Sequence, residues 1–183
     1  IGRASALKLD REGFQVFAGV RKKKDGDNLK KLSTGNLIPV IIDVTDIKSI
    51  VSASKIISRA TDGELYGLMN NAGISGGGPL EITPISLIRN IIETNLISVF
   101  SVIQTFLPLL RKSHGRIVNT ASIFGLTALP GVSTYAATKF GVEAISESLR
   151  LELRPFGITV SALEPGAIAT ELWRKNGETR EKI

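Results

Sequence analysis

Residues 133–150, STYAATKFGVEAISESLR, place a tyrosine and a lysine four positions apart, Tyr135 and Lys139. On a helix that spacing puts both side chains on one face. A free phenol has a pKa near 10 and is a poor base at neutral pH. A nearby ammonium favours the phenolate and lowers that value, so a tuned tyrosine can pass a proton to or from a substrate oxygen. Ser122, thirteen residues earlier, can donate a hydrogen bond to the same oxygen and stabilise charge developing there. None of the three is a nucleophile with a base beside it. The set suits proton transfer at an alcohol or carbonyl, with the carbon-side partner supplied by a hydride cofactor. A lone Tyr-x-x-x-Lys is common by chance, so the reading depends on what surrounds it.

Composition removes several competing chemistries. There is no cysteine, which excludes disulfides and thiolate catalysis and is compatible with a reducing, cytoplasmic setting. The single histidine, His114, lies in the turn-like RKSHGR, so a Ser-His-Asp relay or a histidine zinc site lacks material, and no metal site is expected. The net charge of +6 is concentrated in RKKKDGDNLKK (21–31), where it is interleaved with acids and free of aromatics. Single-strand binding platforms pair charge with stacking rings, so a solvated loop and helix face is the expectation and nucleic-acid binding is not. The most apolar stretch, LISVFSVIQTFLPLL (96–110), is broken by Ser, Gln and Pro and is too short to span a bilayer. No transmembrane segment or targeting signal is expected within the chain.

Elements must bring those side chains together. At 183 residues the chain reads as one domain. Five runs read as strands: 14–20, 37–43, 65–70, 115–121 and 157–163. They lack a polar/apolar alternation, as expected of parallel strands covered on both faces. Helices are predicted over 3–12, stopping at Gly13, and over 26–32 and 46–61. The next begins with Thr83 as N-cap and Pro84 as its first residue, and repeats Ile88, Ile91, Ile92, Leu96, Val99, Ile103 and Phe106. The helix over 134–152 repeats Ala137, Phe140, Ala144, Ile145 and Leu149. This alternation predicts an α/β fold, a doubly wound parallel sheet that binds ligands beyond the carboxyl ends of its strands.

Several polar residues fall at those ends. LMNNAG (68–73) runs from a strand into a glycine-bearing turn, where backbone can approach a ligand. Ser122 follows a strand directly. Asn95 interrupts an apolar helical face, where its amide competes for backbone groups and so needs a reason. With EPGAIAT (164–170), these pieces resemble the short-chain dehydrogenase/reductase family over essentially the whole chain, in order: NNAG (70–73), Asn95, Ser122, Y-x-x-x-K at 135–139, and a Pro-Gly turn with a downstream threonine. The resemblance implies a Rossmann-type fold and an NAD(P)-dependent oxidoreductase of alcohols and ketones. It implies that Tyr135 is the general acid/base, that Lys139 lowers its pKa and holds the nicotinamide ribose, that Ser122 orients the substrate oxygen, and that Asn95 anchors a relay water. Asn71, Ala72 and Gly73 would line the adenosine side, Asp43 with Val44 the adenine, and Pro165, Gly166, Ile168 and Thr170 the nicotinamide. The stretch around Tyr135 is similar to the branch handling steroids, retinoids and related lipophilic alcohols.

Val20 stands where NAD-type members of that family carry an acid, and Arg21 follows, where a guanidinium can hold a 2′-phosphate. NADP is therefore expected over NAD. Two departures accompany the resemblance. Of the family's first strand and its T-G-x-x-x-G-I-G pyrophosphate loop, Ile1 and Gly2 are what this sequence shows. Absence of that strand would leave two strand edges unpaired. The later helices and last strand, which usually shape the substrate pocket and a homo-oligomer interface, are not seen either. The chain is thus read as an incomplete copy of a longer polypeptide, expected to bind cofactor weakly by itself. A non-catalytic relative that keeps the fold is the competing reading.

Overall fold

The computed structural model describes residues 1–168, so Thr170 lies outside the described residues. All five predicted strands are present, each about two residues shorter than expected at one end or, for the fourth, by one at each end. In order the elements are α1 (Gly2–Arg11), β1 (Val16–Val20), α2 (Lys23–Lys30), β2 (Leu37–Ile41), α3 (Ile47–Ala60), β3 (Gly67–Asn70), α4 (Ile85–Ile92), α5 (Ser98–Lys112), β4 (Arg116–Thr120), α6 (Ser133–Leu153) and β5 (Thr159–Leu163). Every strand pair is parallel. The contacts group into two compact units, Ile1–Gly63 and the chain from Glu64 onward.

In the first unit β1 pairs with β2 in the register Val16–Leu37 to Val20–Ile41. Gly13, at φ +87°, turns the chain out of α1, the conformation expected of a glycine just past a helix end. The unit is locked by Asp10, which is 1% exposed. One of its carboxylate oxygens accepts from Ser33 Oγ (2.9 Å) and Asn36 N (3.0 Å), and the other from Thr34 N (2.7 Å). Burial disfavours the charge, but these bonds outweigh it and hold the carboxyl below its ordinary range. Nothing local in the sequence marks Asp10, since its partners lie 23 or more residues away.

The second unit holds the sheet β3-β4-β5. Its core gathers Val99, Ile103 and Leu110 of α5, Ile117 of β4, Val142 and Ile145 of α6, and Val160 of β5. The predicted apolar stripe of α4–α5 is correct in register, with Ile91, Val99, Ile103 and Phe106 all buried. Its start is not: Thr83 donates its hydroxyl to Pro79 O, and Pro84 is the residue that caps Ile85. The helical run Ile85–Lys112 is also longer than the apolar stretch suggested, long and apolar enough by length and composition to cross a membrane; its buried face packs in this core. On α6 the predicted stripe is corrected. Ala137, Phe140 and Ala144 are exposed, while Thr134, Thr138, Lys139 and Ser146 are buried. A polar helix face inside an α/β unit needs partners for every one of those groups.

Among the described residues β1 has β2 as its one strand neighbour and β3 has β4. Gly115, which opens β4, sets how closely that strand passes the turn before β3. An added Cβ there would lie 2.7 Å from Leu65 O and 2.9 Å from Tyr66 O. Backbone atoms on both sides leave nowhere for it to go. Gly115→Ala is therefore expected to cost about 1–3 kcal/mol, read as a lowered urea midpoint at unchanged m-value. An unchanged midpoint would show that the strand can shift freely.

Candidate active site

The site is built from the carboxyl ends of β3 and β4 and the face of α6 that packs on them. Ser122 follows β4, is 6% exposed, and accepts from Phe124 N (3.2 Å) in the tight turn Ile123–Gly125. That turn is held from the other side by Ile123 N donating to Pro165 O (3.2 Å). Tyr135 sits in the first turn of α6, half-buried, with its ring edge-on to Phe124 (centroids 6.2 Å apart, 83° between planes). The Ser122 side chain is close enough to the Tyr135 phenol to act on its ionisation. Lys139 is buried one turn on. Its Nζ donates to Thr120 O (2.6 Å) and lies 5.6 Å from the centre of the Tyr135 ring.

The electrostatics differ from the expectation in one respect. The sequence reading has Lys139 lowering the phenol's pKa. In the structure burial dominates and raises Tyr135 above its ordinary value, and the opposing influence is the hydrogen bond from Ser122. Lys139 is itself pulled down to about 8 by burial, with Glu143 partly opposing. The Lys139 ammonium is engaged by the carbonyl of Thr120.

Asn95 lies in a widened, π-type turn (Glu93–Ile97) between α4 and α5, a distortion often found at functional sites. Its Oδ1 accepts from Ile74 N and its Nδ2 donates to Ile74 O, both at 2.8 Å. The amide thus clamps the segment that follows NNAG. A Cβ on Gly73 would stand 3.4 Å from Asn95 Oδ1, an ordinary contact, so the clamp does not depend on the glycine. Asn71 is half-buried, whereas Ala72 and Gly73 leave their backbone exposed. A Cβ on Gly166 would meet nothing within 4 Å, and Ile168 is exposed.

Two sets of contributing residues escaped the sequence reading. Thr138, fully buried, donates to Tyr135 O (2.7 Å) and is reached by Asn95 Nδ2 at 3.4 Å, so it links the π-type turn to the helix turn carrying Tyr135. Asn119, also fully buried, accepts from Asn70 Nδ2 (2.8 Å) and donates to Ser146 Oγ (2.9 Å), which passes the chain on to Val142 O. This ladder ties the ends of β3 and β4 to α6. The available signals were a polar residue inside the strand run GRIVNTA and the threonine between Tyr135 and Lys139.

The remaining named residues belong to the first unit. Gly2 opens α1, Arg21 is exposed just past β1, and Asp43 and Val44 follow β2. Asp43 Oδ1 accepts from Thr45 N (3.0 Å) and Thr45 Oγ1 (2.7 Å), which hold its carboxyl low, with the Arg21 charge a smaller contribution.

Comparison with known proteins agrees with this geometry. The family model for short chain dehydrogenase matches residues 1–181, and the chain belongs to that family. It is 40% identical over its whole length to 17-beta-hydroxysteroid dehydrogenase type 6 of Bos taurus, and 41% identical over 97% of its length to retinol dehydrogenase 16 of Rattus norvegicus. It spans 58% and 56% of those two proteins. Among solved structures, levodione reductase superposes with a TM-score of 0.92 (26% identity, 99% of this chain, 72% of that one). NAD+-bound xylitol dehydrogenase gives 0.90 (26% identity, 100% and 72%), and ElxO with NADP bound gives 0.87 (29% identity, 98% and 73%). The Rossmann-type α/β fold is thereby shown.

Proposed function

We propose that this chain carries the catalytic centre of an NADP(H)-dependent oxidoreductase that interconverts an alcohol and a carbonyl, with Tyr135 as the proton donor and acceptor. The observation that carries the reading is the Lys139 ammonium, held by Thr120 O (2.6 Å), 5.6 Å from the centre of the Tyr135 ring, with the Ser122 side chain acting on the same phenol. A serine and a phenol converging on one point can both reach a substrate oxygen. The bound nicotinamide would supply or take up the hydride at carbon. The fit of this group rests on the exposed Ala72, Gly73 and Gly166, and on a buried Thr120 Oγ1 that lacks a partner among the described residues, next to the carbonyl holding Lys139.

In this reading Lys139 holds the ribose, Asn71, Ala72, Gly73, Asp43 and Val44 the adenosine end, Gly2 the pyrophosphate, and Pro165, Gly166, Ile168 and Thr170 the nicotinamide. Asn95 supports Tyr135 through Thr138. Because burial favours the protonated phenol, the ground state is armed for carbonyl reduction: the carbon gains hydride and the oxygen takes the Tyr135 proton. Relatives named for hydroxysteroid and retinol support a lipophilic substrate.

Arg21 supports NADP, since it is exposed and a guanidinium can grip a phosphate bidentately. The test is cofactor oxidation at 340 nm with a panel of lipophilic ketones. NADPH should be preferred, and Arg21→Glu should shift the NADPH/NADH ratio of kcat/KM toward NADH by about 10²-fold, the size of one bidentate charged contact. Equal use of both cofactors before and after the substitution would remove the NADP assignment. No turnover with either would favour a binding protein.

A further inference from the structure

α6 carries a third ionisable group in line with Tyr135 and Lys139. Glu143 stands one turn beyond the lysine, at the spacing that stacks side chains along a helix. It is half-buried, and its Oε1 is sealed from solvent without a hydrogen-bond partner among the described residues. A glutamate with nothing to do would turn that oxygen to water. The turn that follows Ser122 packs against the same side chain: a Cβ on Gly125 would lie 3.0 Å from Glu143 Cγ and 3.0 Å from Lys139 O. The backbone of that turn therefore rests on the helix step that joins the two charged residues.

Lys139 needs a counter-charge. It is 5% exposed, and among the described residues its side-chain hydrogen bond goes to a neutral carbonyl. A buried ammonium without an opposite charge gives up its proton. From β4 it is the uncharged Thr120 that meets Lys139, and the Ile123–Gly125 turn contributes no ionisable group. The other charges acting on Glu143 are Arg150 on α6 and Glu164 after β5, alongside Lys139 itself.

We propose that Glu143 is a positioning residue whose sheltered carboxylate keeps Lys139 protonated beside Tyr135, so that it governs the proton donor through the lysine. This rests on the reading of Tyr135 and Lys139 given above. Glu143 is the one charge that opposes the fall of the Lys139 pKa on burial. Its own carboxyl is raised, chiefly by burial and then by Glu164, against the pull of Arg150 and Lys139.

The experiment is an NMR titration of the full chain labelled at lysine Cε, with the Lys139 signal assigned by its loss in Lys139→Met. Glu143→Gln should lower the Lys139 midpoint by about one pH unit, a tenfold change in its ionisation constant. Glu143→Asp, which draws the carboxylate back, should lower it by less. The alkaline limb of ketone reduction should move down by the same amount. A midpoint that stays in place in both variants overturns the proposal. Should the Gln variant fail to fold, the Asp variant decides alone by the same criterion. A midpoint that moves in a protein without reductase activity upholds the coupling and sinks the catalytic reading. Activity with an unmoved midpoint does the reverse.

Discussion

Tyr135→Phe is expected to lower kcat for carbonyl reduction about 10³-fold, within the ~10²–10⁴-fold range of a positioned general acid. The substitution removes one oxygen and keeps the ring, so the edge-on contact with Phe124 survives. Cofactor affinity, read by fluorescence titration, should change little. The loss should therefore fall on kcat rather than KM, marking an interaction made in the transition state. Ser122 would still reach the substrate oxygen, which accounts for the residual rate. A rate within tenfold of the parent would show that some other group delivers the proton.

Lys139→Met should abolish most of the activity and yet stabilise the protein at pH 7. Burial pulls the lysine from its ordinary 10.5 to about 8, a difference worth about 3 kcal/mol of charge buried at a loss. Methionine fills similar space without charge. It also leaves Thr120 O without its donor, which returns about 1 kcal/mol, so the net gain is about 2 kcal/mol. The pH dependence gives the sign. The native state releases the proton at about 8, while the unfolded chain keeps it to 10.5. Parent stability should thus climb with pH across that window, and the variant's should not. Chemical denaturation at pH 7 and pH 10 measures both quantities. A variant less stable than the parent at pH 7, with the same slope against pH, would mean that Lys139 is not a buried charge.

The two substitutions separate roles that a single activity assay would merge. Tyr135 is a local chemical group whose loss the fold barely registers. Lys139 is a charge that the fold tolerates at a cost, the pattern expected where function and stability pull apart.

Much of this was legible in the residues. Strands of β-branched runs separated by helical stretches declare a parallel α/β sheet, because local propensity and hydrophobic period act over a few neighbours. Tyr135 and Lys139 share a helix face by arithmetic, and Ser122 follows a strand by sequence. The stripe on α4–α5 could be read for the same reason. That of α6 could be read only in part: Ile145 is buried as expected, but Thr134, Thr138, Lys139 and Ser146 share the inner face, and polar residues look solvent-facing until their partners are known.

Those partners come from distant parts of the chain, and that is where tertiary structure decided. Asp10 looks like a surface acid until residues 33–36 fold over it. Asn119 is one polar residue in a strand until Asn70 and Ser146 close on it. The direction in which Tyr135 titrates also belongs to the fold. Spacing sets which groups are neighbours along a helix, but a pKa depends on the depth of burial and on where an ammonium finds its acceptor. Here that acceptor is the carbonyl of Thr120, nineteen residues away along the chain.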